Sequence, residues 1–389
     1  ATFEARGYTY WDCTSPAFVR DNILCIPTIF VSYNGETLDK KAPLLKSLEA
    51  LNKEATRIVN AFKDKDIKRV TAMVGLEQEY FLIDKKLYQQ RSDLINTGRT
   101  LFGNVPPIGQ DLAEHYFGSI PNRVKAFMKE VNVELWKLGI YAKTEHNEAA
   151  PCQFEIAPLF ADANIAVDQN QLIMDVLKKV ADLHDLACIF HEKPFKGVNG
   201  CGKHNNWSLV TDDGQNLLEP GDKPHENIRF LLFVCAVIKA VDTYPELLRM
   251  ASSDINNDLR LGANEAPPAI ISICMGQELE QILFQLEKSL KIEHNVETTP
   301  FSISNLSYVP KDTSDRNRTS PFAFTGNKFE FRMVGSSLSA ATTNIVLNTI
   351  VADSLSEFAN ELEPLKYIQD VRDKALEICQ RVIREHKRI

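Results

Sequence analysis

The chain has 389 residues, 44% hydrophobic and 25% charged, a globular composition with enough length to bury a large core. A net charge of -8 and the lack of a basic cluster argue against a phosphate-backbone partner, so nucleic acid is not expected. Eight cysteines show neither CxxC pairing nor a dense framework, which points to a reducing cytoplasm rather than a zinc site or disulfide scaffold.

In chain order, Ala1 to Tyr33 reads as a loop-rich opening. It shows no signal-peptide pattern, and its start at Ala1 rather than Met suggests a processed or excised chain. Leu44, Leu45, Leu48, Leu51, Ala55, Ile58, Val59 and Phe62 mark one face of a helix. Val70 to Ile83 predicts a strand, followed by a polar surface connection through Pro121 and a helix over Arg123 to Leu138. Tyr141 to Phe160 predicts strands broken at Pro151, and Ala163 to His191 a long helix.

Asn206 to Val210 reads as strand and Asn227 to Thr243 as a buried helix. The apolar run within that helix, Phe230 to Ile238, is far shorter than the roughly 20 residues that span a bilayer, so no membrane partner is expected. Ser252 to Pro268 predicts a polar loop, Gln277 to Leu290 a helix, and the Ser-, Thr- and Asn-rich Glu293 to Asn327 an extended active-site loop or a mobile stretch. Phe329 to Val334 is a strand, and Ser339 to Ile389 is helical with a break at Pro364. No repeat or linker cuts the chain, which reads as one α+β domain: 1–66 a lead-in segment and helix, 67–389 the site region.

Glu77 and Glu79 lie two residues apart on the predicted strand, so their carboxylates share a face. Buried together they need a counter-charge, for which a metal is the natural source; the alternative is a solvated strand at a sheet edge. Glu145-His146-Asn147-Glu148 through Glu155 concentrates further acids, with a polar turn as the plain alternative. Asn199-Gly200 through His204 places glycines ahead of a histidine entering a strand, where backbone can approach a ligand; a lone histidine can equally be structural. Glu330 and Arg332 put a carboxylate and a guanidinium on one strand face, with phenylalanines on the other; the plain alternative is a simple cross-strand ion pair. Glu77, Glu79, Glu148, Glu155, His204 and Glu330 together form an oxygen-dominated set suited to Mg²⁺ or Mn²⁺. Their number suggests two ions, as phosphoryl transfer requires, and Gly197 to Gly202 lacks the Walker pattern of a P-loop ATPase.

These blocks, with Arg260-Leu261 through Glu265-Ala266-Pro267, Arg316-Asn317-Arg318 and Glu330-Phe331-Arg332, resemble the glutamine synthetase family in its order over nearly the whole chain. Lys143 through Pro151 looks like the type III class. The resemblance implies an α+β fold with a curved, mainly antiparallel sheet, a partial barrel lined by metal ligands and backed by helices. It implies ATP-dependent ligation of ammonia to the γ-carboxylate of glutamate through a γ-glutamyl phosphate, in a cytoplasmic, ring-shaped homo-oligomer, a double hexamer. Glu79, Glu148 and Glu155 would hold one Mg²⁺ or Mn²⁺ and Glu77, His204 and Glu330 the other. Asn199, Gly200 and Arg260 would bind glutamate, Ser208 and Arg318 ATP, Arg318 and Arg332 the transferring phosphate, and Glu265 would take a proton from ammonium.

Two departures stand out: Ala323 occupies a position where better-studied classes carry a further arginine, and Glu265 lies one residue nearer Arg260. The family's small N-terminal β domain and type III C-terminal extension are expected to be missing, leaving a catalytic core. Open alternatives are a γ-glutamyl-amine or polyamine ligase, a noncatalytic assembly-forming member and a two-metal hydrolase.

Overall fold

In the computed structural model the described residues are 7–63, 66–288 and 319–389, with the backbone of 298–299 and 309–310. The strands β1 (Gly7–Trp11), β2 (Phe18–Arg20), β3 (Ile23–Cys25) and β4 (Thr28–Ser32) precede helix α1 (Lys41–Ala61). After β5 (Val70–Asp84) come short helices α2 (Lys85–Gln89), α3 (Ser92–Thr97) and α4 (Glu114–Phe117), then α5 (Asn122–Lys137). Next are β6 (Ala142–Asn147), β7 (Gln153–Pro158), β8 (Ala161–Asp162), α6 (Ala163–Leu183), β9 (Leu186–Ile189) and β10 (Gly202–Thr211). The chain continues through α7 (Ile228–Thr243), α8 (Pro245–Ala251), α9 (Ile255–Asp258), β11 (Ile273–Cys274) and α10 (Gln277–Glu287). It ends with β12 (Thr298–Thr299), β13 (Val309–Pro310), β14 (Phe322–Phe324), β15 (Phe329–Gly335), α11 (Ala341–Leu362) and α12 (Ile368–His386).

Strict alternation along β5 decides the architecture, because successive strand side chains point to opposite faces. Val70, Ala72, Val74 and Leu76 enter a core with Trp207, Leu209, Phe329, Phe331 and Met333, leaving Glu77 and Glu79 on the other face. β5 lies inside a nine-stranded sheet of order β11-β14-β15-β10-β5-β7-β6, with β8 and β9 also pairing to β5. The β11–β14 pair is parallel, whereas β10 pairs antiparallel with both β5 and β15, and β7 with β5 and β6. Among the described residues the sheet does not close into a barrel. On the core face α1 packs on α11, and α7 on α11 and α12. Tyr80, Phe154 and Ile156 form a second core with residues of α5 and α6. Among the described residues no helix is long and apolar enough to cross a membrane.

Several local expectations are corrected. The opening is not loop: β1 pairs with β4 and β2 with β3 as small ribbons whose side chains stay largely exposed, so no hydrophobic alternation announced them. The helix expected to reach His191 stops at Leu183, and Asp185 turns the chain with a φ of 55°. Leu186–Ile189 then extends β5, with Ile189 opposite Phe81. The connection before α5 is not all loop, since it contains α2 to α4. Most of the expected loop over Glu293 to Asn327 lies outside the described residues, but its end forms β14.

Candidate active site

The solvated-edge alternative for Glu77 and Glu79 fails, because β5 is flanked by β10 on one side and β7 on the other. Register sets the chemistry: His204 lies directly opposite Glu77, Glu155 opposite Glu79, and His146 opposite Glu155. Glu330 reaches the same face from β15, with Asn206 as its cross-strand partner.

One cluster is Glu77, His204 and Glu330. His204 Nδ1 lies 3.0 Å from Glu77 Oε2 and 2.9 Å from Glu330 Oε1. Burial opposes a charge on His204, but Glu330 and Glu77 overcome it and raise its pKa well above the ordinary value. Burial pushes the Glu330 carboxyl up, yet His204 and Arg332 hold it well below the usual range. A protonated imidazole here supplies the positive charge that a divalent ion would supply on binding, releasing that proton. Arg332, 1% exposed, donates to Glu330 Oε2 at 3.1 Å and to the Ser320 carbonyl at 3.3 Å.

The second cluster is richer in acid. Burial, reinforced by the Glu148 charge, pushes Glu79 up to about 7. Burial and the charges of Glu77, Glu148 and Glu79 push Glu155 well above the carboxylate range. Glu155 Oε2 is buried with no hydrogen-bond partner. An orphaned buried oxygen among mutually repelling carboxylates costs free energy that a cation would recover, so these residues fit a divalent ion.

Glu79 also faces a pocket lined by Gln153, Asn199, Gly200, His204, Arg260, Glu265, Ala266 and Pro267. Its Oε2 accepts from the Gly202 N–H at 2.8 Å and from Gln153 Nε2 at 3.3 Å. Arg260, 3% exposed, is held by Asn257 Oδ1 at 3.1 Å and the Arg332 carbonyl at 3.2 Å. The carboxylate-bearing sheet face thus meets a guanidinium, a polar turn and the exposed Glu265 at one opening. Ser208 lies on the same face, opposite Met73. Ala323, fully buried, is paired with Glu330. Arg316 and Arg318 lie outside the described residues.

Sequence reasoning passed over two further residues. Gln110 accepts from the Asn199 N–H and donates to Asn199 Oδ1, both at 2.9 Å, which fixes the pocket-lining turn; no local pattern marks it. His146 stood inside an acidic block without being chosen, although the i, i+2 spacing to Glu148 was a usable signal.

Comparison with known proteins agrees with this geometry. The profile described as "Glutamine synthetase, catalytic domain" matches residues 53–276, and "Glutamine synthetase type III N terminal" matches 1–47. A type-3 glutamine synthetase of Dictyostelium discoideum is 52% identical over 367 residues, 93% of this chain and 50% of that protein. A glutamine synthetase of Bacteroides fragilis is 52% identical over 379 residues, 96% of this chain and 52% of that protein. The chain therefore spans about half the length of these relatives. In fold it is similar to the Plasmodium falciparum glutamine synthetase structure, with TM-score 0.61 and 16% identity over 90% of this chain and 63% of that one. On the profile match and these identities, the chain belongs to the glutamine synthetase family and is most like its type III class.

Proposed function

We propose that the chain carries the ATP-dependent ligation of ammonia to the γ-carboxylate of L-glutamate through a γ-glutamyl phosphate, yielding glutamine, ADP and phosphate. The observation that supports this reading is the junction of a cation-demanding carboxylate floor with a pocket walled by Arg260, Asn199, Gly200 and Glu265.

Each part has a task. Arg260 takes the α-carboxylate of glutamate, and Asn199 and Gly200 border the same ligand. Glu77, His204 and Glu330 would hold one Mg²⁺ or Mn²⁺, and Glu148 and Glu155 with Glu79 the other. When bound, such ions neutralise charge on the phosphoryl group in transfer. Arg332 adds fixed positive charge from the sheet, and Arg318 would add more. Ser208 borders the nucleotide, and Ala323, paired with Glu330, offers no charge of its own where better-studied classes carry an arginine. Glu265 takes the proton that ammonium must lose before its nitrogen can attack. The proposal extends to a ring-shaped homo-oligomer, a double hexamer, in the cytoplasm, with residues 1–66 as the lead-in to the catalytic region.

The test is ADP release with glutamate, ammonium, ATP and Mg²⁺ or Mn²⁺ omitted in turn, on this chain and on one extended to the length of its relatives. Release that needs all four, with glutamine as product, is expected. Metal-dependent hydrolysis indifferent to glutamate and ammonium in both chains would overturn the reading, and preference for a larger amine would reassign the acceptor.

A further inference from the structure

We infer that His146 is itself a ligand of the second divalent ion, beside Glu148, Glu155 and Glu79, so that each metal position includes one imidazole. The inference rests on the two-metal reading above and adds a nitrogen donor to its ligand set, which resemblance limited to Glu79, Glu148 and Glu155.

Donor atoms of His146, Glu148 and Glu155 lie within 4.8 Å of one another, as do those of Glu77, His204 and Glu330. His146 Nε2 stands 2.9 Å from Glu148 Oε1 and 3.7 Å from Glu155 Oε1. β6–β7 pairing sets this position, placing His146 directly across from Glu155. The Tyr116 ring lies edge-on to the imidazole, with ring centroids 5.4 Å apart. Glu155 is 3% exposed and its Oε2 has no partner. Glu79 is already engaged on its pocket side by the Gly202 N–H. An imidazole converging on two buried carboxylates, one with an orphaned oxygen, is the donor set of a cation site. A nitrogen donor favours Mn²⁺ over Mg²⁺, whose preferred partners are oxygens. The second position is therefore the more Mn²⁺-selective than an all-carboxylate site would be.

The test loads the protein with Mn²⁺ and reads ¹⁴N coupling by pulsed electron paramagnetic resonance, with Mn²⁺ and Mg²⁺ titrations of wild type, His146→Gln and His204→Gln. Nitrogen coupling should persist in His204→Gln, and His146→Gln should weaken one of two Mn²⁺ sites by about tenfold or more, with a smaller change for Mg²⁺. Two Mn²⁺ bound with nitrogen coupling on only one, or unchanged Mn²⁺ affinities in folded His146→Gln, would overturn the inference while leaving the proposed function standing. No Mn²⁺ bound by wild type would overturn both. If either variant fails to fold or to bind, wild type loaded with one and then two equivalents decides: coupling on both ions supports the ligation, and coupling on one rejects it.

Discussion

Gly200→Ala and Gly202→Ala form a matched pair whose outcomes differ for a geometric reason. A Cβ at Gly200 would collide with the Glu192 carbonyl oxygen and stand 2.7 Å from Arg260 Cγ; at Gly202 it would stand 2.6 Å from Arg260 Nη1. The Glu192 oxygen is backbone and is committed, accepting from the Cys201 N–H at 2.9 Å. Gly200→Ala must therefore move main chain, an overpacking cost of about 1–3 kcal/mol, with about 1 kcal/mol more if the Cys201 hydrogen bond is lost. Gly202→Ala meets no backbone but the buried guanidinium of Arg260, which must shift against its hydrogen bonds to Asn257 and the Arg332 carbonyl. Its effect falls on function, since the guanidinium it displaces is the proposed contact for glutamate. Thermal unfolding and the glutamate dependence of ADP release separate the two. Gly200→Ala should lose both stability and glutamate affinity, and Gly202→Ala mainly affinity. A Gly200→Ala protein with wild-type unfolding temperature and glutamate response would refute the packing argument around Arg260.

Asp12 should tie the N-terminal ribbons to α6. It is buried, accepts from Asn164 Nδ2 at 2.8 Å, and lies 3.2 Å from Lys41 Nζ. Burial pushes its carboxyl up, but hydrogen bonds from Thr14, Asn164 and Ser15 hold it well below the usual range. A lowered folded-state pKa gives stability that is full above the unfolded value, near 4, and is lost as pH falls through the folded value. Asp12→Ala should accordingly cost about 1–3 kcal/mol at neutral pH, speed proteolysis near residue 14 and flatten acid destabilisation below pH 4, read by denaturant titration. Trp207→Phe should cost about 1–3 kcal/mol, because Asn348 Oδ1 loses the indole donor at 2.9 Å deep in the core; Mn²⁺ binding should not change. Glu265→Ala should lower ammonia-dependent turnover roughly 100-fold or more with Mn²⁺ affinity intact. Unaltered turnover would remove Glu265 from the chemistry.

The long elements and the ligand-bearing strands were legible because their signals are local. The alternation around Glu77 and Glu79 survives into β5, and the Phe329 and Phe331 pattern correctly assigns the opposite face to Glu330 and Arg332. What stayed hidden depends on pairing across distance. Leu186–Ile189 is strand because β5 offers it an edge, and no Gly or Pro marks Asp185 as the turn. Gln110 reaches Asn199 across 89 positions of sequence. His146 joins the site through the β6–β7 register, which spacing alone does not specify. The opening ribbons were missed because their outward side chains leave them without a hydrophobic period.

The central claim, that phosphate leaves from a γ-glutamyl phosphate, is tested most directly by isotope transfer. In that route a γ-carboxylate oxygen of glutamate bonds to the γ-phosphorus of ATP as the bond from that phosphorus to ADP breaks, and ammonia then attacks the acyl carbon and expels phosphate as the C–O bond breaks. Glutamate labelled with ¹⁸O in its γ-carboxylate should therefore yield phosphate carrying one ¹⁸O for each glutamine formed. Phosphate carrying no oxygen from glutamate, under conditions where ADP is released, would contradict the account.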